Sequence, residues 1–120
     1  MTIMKSVAGL TVALLAVPAL AQDKPIEFRL AAAKSNPVGC TSLDPALSRV
    51  HTVTKTGNTA TIKSAGGIDD TMKQKTPNVY TTVFTLSGIR LDVVADASKT
   101  PGTLTVVEAQ RGCKWSATAP

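Results

Sequence analysis

The side chains able to carry chemistry are few, and they form no familiar catalytic pattern. His51 is the only histidine of the 120-residue chain. A serine-type hydrolase places a histidine base between a nucleophile and an orienting acid, and the chain has no Gly-x-Ser-x-Gly elbow. His51 lies in the strand-like stretch VHTVT, which favours a position at the surface or at the end of a barrel. We therefore predict that the protein is not an enzyme, with a small envelope hydrolase using His51 as the alternative.

Ligands for a metal ion or a cofactor are equally sparse. Zinc and copper sites use several His, Cys or Met ligands, whereas Met72 is the only methionine after residue 21. Asp69 and Asp70 form the only adjacent acidic pair, and the stretch lacks the D-x-[DN]-x-[DN]-G pattern of a calcium loop. A turn in which one of these carboxylates accepts backbone N–H groups explains the pair better. We predict no metal site and no cofactor.

The two cysteines of the chain indicate a structural crosslink. Cys40 and Cys113 are an even pair, which forms a disulfide in an oxidising compartment. A redox-active pair usually has the close Cys-x-x-Cys spacing, and this pair is far apart in the sequence. We predict a Cys40–Cys113 disulfide.

The first 21 residues have the pattern of an export signal. Lys5 precedes an uncharged apolar run at 7–17, and Ala19-Leu20-Ala21 supplies the small-x-small pattern of a cleavage site. The apolar run is short for a membrane anchor, which needs about 20 residues. We predict cleavage after Ala21 and a single β domain at 22–120 without a membrane span. The expected location is the periplasm or the medium.

Charge and composition narrow the class of partner. Without Lys5 the chain keeps 12 basic and 8 acidic residues, a net charge of +4. These charges are scattered, and there is no nucleic-acid-binding motif. Nucleic acid is therefore not an expected partner, whereas an envelope protein or glycan is.

Threonine-rich segments separated by Gly, Pro and Asn predict an all-β fold. The segment 26–32 alternates apolar and polar side chains, as a half-buried strand does. Gly57-Asn58 and Ser87-Gly88 are hairpin turn signals, and Asp44-Pro45 starts a predicted short helix near 44–49. We expect a small antiparallel meander of about seven strands that closes into a barrel or a sandwich. The predicted strands are 26–32, 50–55, 59–65, 79–86, 89–95, 103–109 and 113–117.

The stretch 68–80 is the candidate binding surface, because 68–77 shows no periodicity and is predicted to be an exposed loop. Rigid scaffolds tend to carry binding residues on such loops. The candidate binding residues in this stretch are Met72, Lys73, Lys75 and Tyr80. The first hypothesis is thus a non-enzymatic binding or interaction module of the cell envelope. Besides the hydrolase, a structural or stress-response envelope protein without a ligand stays open.

Export and crosslinking together predict the mass of the protein isolated from its host. We expect a chain that begins at Gln22 and is two hydrogens lighter than its reduced sequence, because the signal peptide is removed and the cysteines are oxidised. Intact-mass spectrometry before and after reduction measures both. A chain that retains residues 1–21, or one with two free thiols, would contradict the corresponding half of this prediction.

Overall fold

The computed structural model of the protein describes residues 24–65 and 68–120. The predicted signal peptide and its cleavage site lie outside the described residues. Two short helical segments, a 3-10 helix at Val38–Leu43 and helix α1 at Asp44–Leu47, join the second strand to the third. The strands are β1 Ile26–Arg29, β2 Ala31–Ala32, β3 Val50–Thr56, β4 Thr59–Ser64, β5 Asp69–Thr76, β6 Val79–Leu86, β7 Ile89–Asp96, β8 Thr103–Glu108 and β9 Cys113–Thr118.

The strands form a nearly closed barrel, which confirms the predicted antiparallel meander. Strands β3 to β9 pair with their neighbours in chain order. β1 then pairs with β3 at one end of this sheet, and β2 pairs with β9 at the other. These two short strands are halves of one N-terminal segment, interrupted at Leu30, so that segment joins both ends of the sheet. The count of nine exceeds the predicted seven because this segment is split and because 69–76 is also a strand.

Two-residue turns connect the central hairpins at the positions where the sequence predicts them. The register of β3 on β4 closes at Thr56 and Thr59, around Gly57-Asn58. The register of β6 on β7 closes at Leu86 and Ile89. Ser87 and Gly88 there have φ of 53° and 78°, and two positive values are typical of the type I′ turn that suits the twist of a hairpin.

The interior of the barrel is filled by side chains from alternate positions of the strands. Trp115 and Phe28 are the largest of them, and Trp115 is fully buried. Threonines occupy many outward positions, for instance Thr54 opposite Thr61 on β3 and β4. Such β-branched pairs across a hairpin stabilise a sheet. The other buried apolar side chains are Leu30, Cys40, Leu43, Leu47, Val53, Ala60, Ile62, Met72, Tyr80, Leu91, Val93, Ala95, Leu104, Val106 and Cys113.

The two helical segments cover one end of the barrel, which we call the lower end. The helix near 44–49 is confirmed as α1, and Leu43 and Leu47 are buried there. Asp44 is the first residue of α1 and does not cap it, because the N-cap position is Leu43. Instead its carboxylate accepts the indole N–H of Trp115 at 2.9 Å. In residues 24–65 and 68–120, no helix is long and apolar enough to cross a membrane.

The predicted disulfide is confirmed. Cys40 and Cys113 are bonded with their Cα atoms 5.8 Å apart, so the bond ties the 3-10 helix to the start of β9. Beside it, the buried carboxylate of Glu108 accepts the N–H groups of Gln110 and Arg111 at 2.8 and 3.0 Å. This closes the turn between β8 and β9 next to the disulfide.

Removing the disulfide should lower stability without changing the fold. The bond spans 73 residues, and a crosslink of that span removes about 4 kcal/mol of denatured-state entropy. We expect the double variant Cys40→Ala/Cys113→Ala to lose a large part of this and to melt at least about 10 °C lower. Thermal unfolding followed by circular dichroism measures the shift. An unchanged Tm would contradict it, and reduction should lower the Tm of the wild type but not that of the variant.

Candidate functional site

The stretch predicted to be an exposed loop is the strand β5, so that prediction is wrong. Its residues 69–73 pair with β4, from Lys63 opposite Asp69 to Thr59 opposite Lys73. The strand is hard to recognise in the sequence because the inward positions 70 and 74 of β5 are polar. Met72 is the only buried residue of this strand. An alternating apolar pattern, the usual signal of a half-buried strand, is therefore missing.

The four candidate binding residues do not share one surface. Met72 and Tyr80 are 0% and 2% exposed, so both belong to the core and neither can offer its side chain to a partner. The Tyr80 hydroxyl donates to the carbonyl oxygen of Gly57 at 3.2 Å, which ties β6 to the turn between β3 and β4. Lys73 and Lys75 are exposed on β5, and their role in binding stays a prediction.

The barrel opens along the lower half of the seam between β5 and β6. The register of these strands has three pairs, which begin with Lys73 opposite Thr81 and pass a bulge near Thr76. The residues of β6 from 82 to 86 all pair with β7 but have no register partner on β5. The two strands therefore separate below Lys73 and Thr81.

Where the backbone hydrogen bonds between β5 and β6 end, the side chain of Asp70 links the two strands. One carboxylate oxygen accepts the backbone N–H of Thr71 at 3.0 Å, and the other accepts the hydroxyl of Thr82 at 2.9 Å. Asp70 thus bridges the two strands where the backbone ladder ends. The predicted turn at Asp69 and Asp70 is wrong, because both lie in a strand, although Asp70 does accept a backbone N–H group.

Below this bridge the separated strands border a cleft of about 620 Å³. Its floor holds Phe84 and Leu86, which are half-buried and pack against the core. Val83, which is 48% exposed, lies on its β6 edge. The remaining lining residues are the apolar Pro45, Ala46 and Ile68 and the polar Arg49, Asp69, Asp70 and Thr85. The cleft is thus mainly apolar, with a few polar groups at its rim.

Arg49 fixes the wall of the cleft that α1 supplies. Its guanidinium donates to the carbonyl oxygen of Pro45 through Nε at 2.9 Å and through the terminal Nη2 at 2.6 Å. A third N–H group donates to the carbonyl oxygen of Ala65, just after β4. The side chain therefore ties the helix to the lower end of the sheet and satisfies two carbonyl groups there.

The backbone of β6 turns polar groups toward the cleft. Leu86 and Ile89 close a two-residue hairpin, and such a closing pair exchanges both backbone hydrogen bonds. Because N–H and C=O groups alternate in direction along a strand, the even-numbered residues of β6 face β7. The N–H and C=O groups of Val83 and Thr85 must therefore face β5, a strand on which these residues have no register partner.

His51 is buried beneath α1 at the lower end of the barrel, so of the two expected positions the surface is wrong and the barrel end agrees with the structure. It is 0% exposed, and its Nε2 donates to the carbonyl oxygen of Leu47 at 2.9 Å. Its Nδ1 has no hydrogen-bond partner within the part of the chain that the structure describes. Burial lowers the pKa of His51 from 6.5, the hydrogen bond to Leu47 opposes this, and the charge of Arg49 lowers it further. The ring is therefore neutral at pH 7 and supports the end of α1.

Comparison of the chain with protein-family models, with curated proteins and with solved structures finds no match. Across residues 24–65 and 68–120, no group of three or more His, Cys, Asp or Glu side chains could hold a metal ion. The candidate site is therefore defined by the geometry of the cleft alone.

Sequence reasoning missed the residues that line the cleft. One signal was available: β6 continues its inward apolar pattern through Phe84 and Leu86, while the inward position of β5 beside them holds Asp70. An apolar strand face opposite a carboxylate indicates a break in the core. The contribution of Ala46 in α1 and of Arg49 just after it had no such signal, because it depends on how the barrel closes.

The burial of His51 predicts a specific loss of stability in acid. A pKa lowered by folding means that the unfolded chain binds the proton more readily, so the free energy of unfolding falls as the pH drops below about 6.5. For one proton this slope is at most about 1.4 kcal/mol per pH unit. We expect the wild type to lose stability between pH 7.5 and 5. Urea unfolding at each pH measures it.

The variant His51→Gln is the matched control, because its amide can still donate to Leu47 but does not titrate in this range. Its free energy of unfolding should change less between pH 7.5 and 5 than that of the wild type, since the chain has no other histidine. Equal slopes for the two proteins would contradict the role given to His51.

Proposed function

We propose that the protein is a non-enzymatic binding module of the cell envelope and that its binding site is the cleft between β5 and β6. The observation that carries the proposal is the open seam, where two strands separate over a mainly apolar cleft of about 620 Å³. Ligand sites in proteins commonly enclose about 300–1,000 Å³, with apolar walls and a few well-placed polar groups. The cleft has both the volume and the lining of such a site.

The apolar groups in the cleft support the proposal because the core covers them only in part. Phe84 and Leu86 pack against the core with one part of their surface and leave the rest in the cleft. The nearby Val83 is one of the few large apolar side chains that remain exposed in the described residues. Apolar side chains grouped at a depression mark interaction sites more often than isolated ones do.

The compartment follows from the sequence and is part of the proposal. The export signal predicted at 1–21 would deliver the chain to the periplasm or the medium. A disulfide such as Cys40–Cys113 is typical of oxidising compartments. The partner is then an envelope component, with a protein or a glycan as the expected class.

The alternative of a hydrolase using His51 has less support. A general base must come within about 3 Å of the proton that it removes. His51 is 0% exposed and its Nε2 proton is given to Leu47, so a substrate in the cleft does not meet the ring. The third hypothesis, an envelope protein without a ligand, gives no role to the open seam.

A substitution that fills the cleft from α1 tests the proposal. Ala46 is partly exposed and lines the cleft, so Ala46→Phe should occupy the space without removing core contacts. We expect the wild type, purified from its host envelope, to retain a partner that native mass spectrometry identifies. The affinity of Ala46→Phe for that partner should be at least about tenfold lower.

The matched control is Ala31→Phe, which places the same side chain at an exposed alanine of β2, next to β9. Its affinity should equal that of the wild type, and both variants should keep the wild-type Tm. A partner that Ala46→Phe binds as tightly as the wild type would place binding elsewhere on the barrel and overturn the proposal.

A further inference from the structure

We propose that the occupant of the cleft is an extended peptide segment of a partner protein, which adds as a strand to the open edge of β6. The inference rests on the proposed function and names the class of ligand that the cleft takes. Three properties of the seam carry it: the backbone groups of β6, the alternation of side chains along the edge, and the charges of the two walls.

The first property is the row of backbone groups that β6 directs toward the cleft. The N–H and C=O groups of Val83 and Thr85 face β5, but neither residue has a register partner on that strand. On β5, the N–H group of Thr71 is already taken by the Asp70 carboxylate. The edge of β6 thus offers the N–H and C=O groups of two residues that have no register partner on β5. Backbone groups at an unpaired edge are a template for another strand, and an extended peptide supplies donors and acceptors at the matching spacing.

The second property is the alternation of side chains along this edge. Phe84 and Leu86 point inward from β6, while Val83 and Thr85 point outward. In a strand added beside β6, successive side chains point to opposite faces of the sheet. Every second side chain of the peptide would therefore enter the cleft above Phe84 and Leu86. This predicts a ligand with apolar residues at alternate positions.

The third property is the charge of the walls. Asp69 is exposed and Asp70 lies beside it on the β5 wall, whereas β6 has no ionisable side chain except the buried Tyr80. The cation on the α1 wall, Arg49, already donates to Pro45 and Ala65. These bonds go to neutral carbonyl groups and leave Arg49 charged, so the two carboxylates of Asp69 and Asp70 outnumber the one guanidinium among the lining residues. The resulting negative balance favours a Lys or Arg in the bound segment.

A second copy of this barrel fits the seam less well than a free peptide does. Strands β3 to β9 each pair with a neighbour on both sides over at least part of their length, whereas β1 and β2 pair with one neighbour each. The open edge of one copy is bordered by its own β5 and α1, so the corresponding edge of another copy cannot come alongside it. A flexible extended segment has no such obstacle.

Selection from a library of random nine-residue linear peptides on the purified protein tests the inference. The enriched peptides should share apolar residues at alternate positions and one Lys or Arg. Isothermal titration calorimetry should show an affinity at least about tenfold lower for Ala46→Phe than for the wild type and for Ala31→Phe. The variant Asp69→Asn should weaken the peptide with Lys or Arg more than the same peptide with Gln in that position.

A scan of backbone N-methylation in the best peptide distinguishes a strand from any other bound form. Methyl groups on alternate peptide nitrogens should weaken binding by about tenfold or more, while those on the intervening nitrogens should have little effect. On the protein, hydrogen exchange measured by NMR should slow at the amides of Val83 and Thr85 when the peptide binds. The even-numbered amide of Phe84 is the internal control, because it already faces β7.

The outcomes separate this inference from the proposed function. The inference is wrong if Ala46→Phe weakens the binding of a partner but no peptide binds at the cleft. It is also wrong if the effect of N-methylation does not alternate along the peptide. In either case the cleft binds a different class of ligand. If the protein self-associates and Ala46→Phe abolishes this, a second copy is the occupant and the inference is also wrong. If Ala46→Phe changes no interaction, the proposed function fails first.

Discussion

The N-terminal segment, which pairs with both ends of the sheet, is the constraint on which the rest of the structure depends. β1 pairs with β3 and β2 pairs with β9. Between them Leu30 is buried, and its N–H group donates to the carbonyl oxygen of Arg49 at 3.0 Å. Because this segment closes the ring, the chain must return from β2 to β3 across the lower end of the barrel. The 3-10 helix and α1 make that return, which places α1 beside the seam.

The seam opens because of what β5 offers to the interior. Its inward position 70 is a carboxylate, and burying a carboxylate without full compensation costs several kcal/mol. A complete ladder would carry Asp70 into the apolar core opposite Phe84. With the strands apart, Asp70 instead accepts hydrogen bonds from Thr71 and Thr82. One polar residue at an inward position thus converts part of a closed barrel into a cleft.

The parts of the fold that could be predicted from the sequence are those set by local patterns. The segment 26–32, the turns at Gly57-Asn58 and Ser87-Gly88, and the Cys40–Cys113 bond each have a short-range or compartment-based cause. β5 was not predicted because two of its inward residues are polar, so it lacks the alternating pattern of a strand. It is a strand nonetheless because it pairs with β4. The cleft was not predicted either, since Ala46 and Phe84 come together only through closure of the ring, which no local pattern encodes.

The lower end of the barrel holds α1 by several independent contacts. Trp115 donates to Asp44, His51 donates to Leu47, and Arg49 donates to Pro45. The disulfide fixes the 3-10 helix, which directly precedes α1. A wall held in this way loses little conformational freedom when a ligand binds, so less of the interaction free energy is spent on ordering. The same reasoning explains why a four-residue helix, too short to be stable alone, can form one side of a binding cleft.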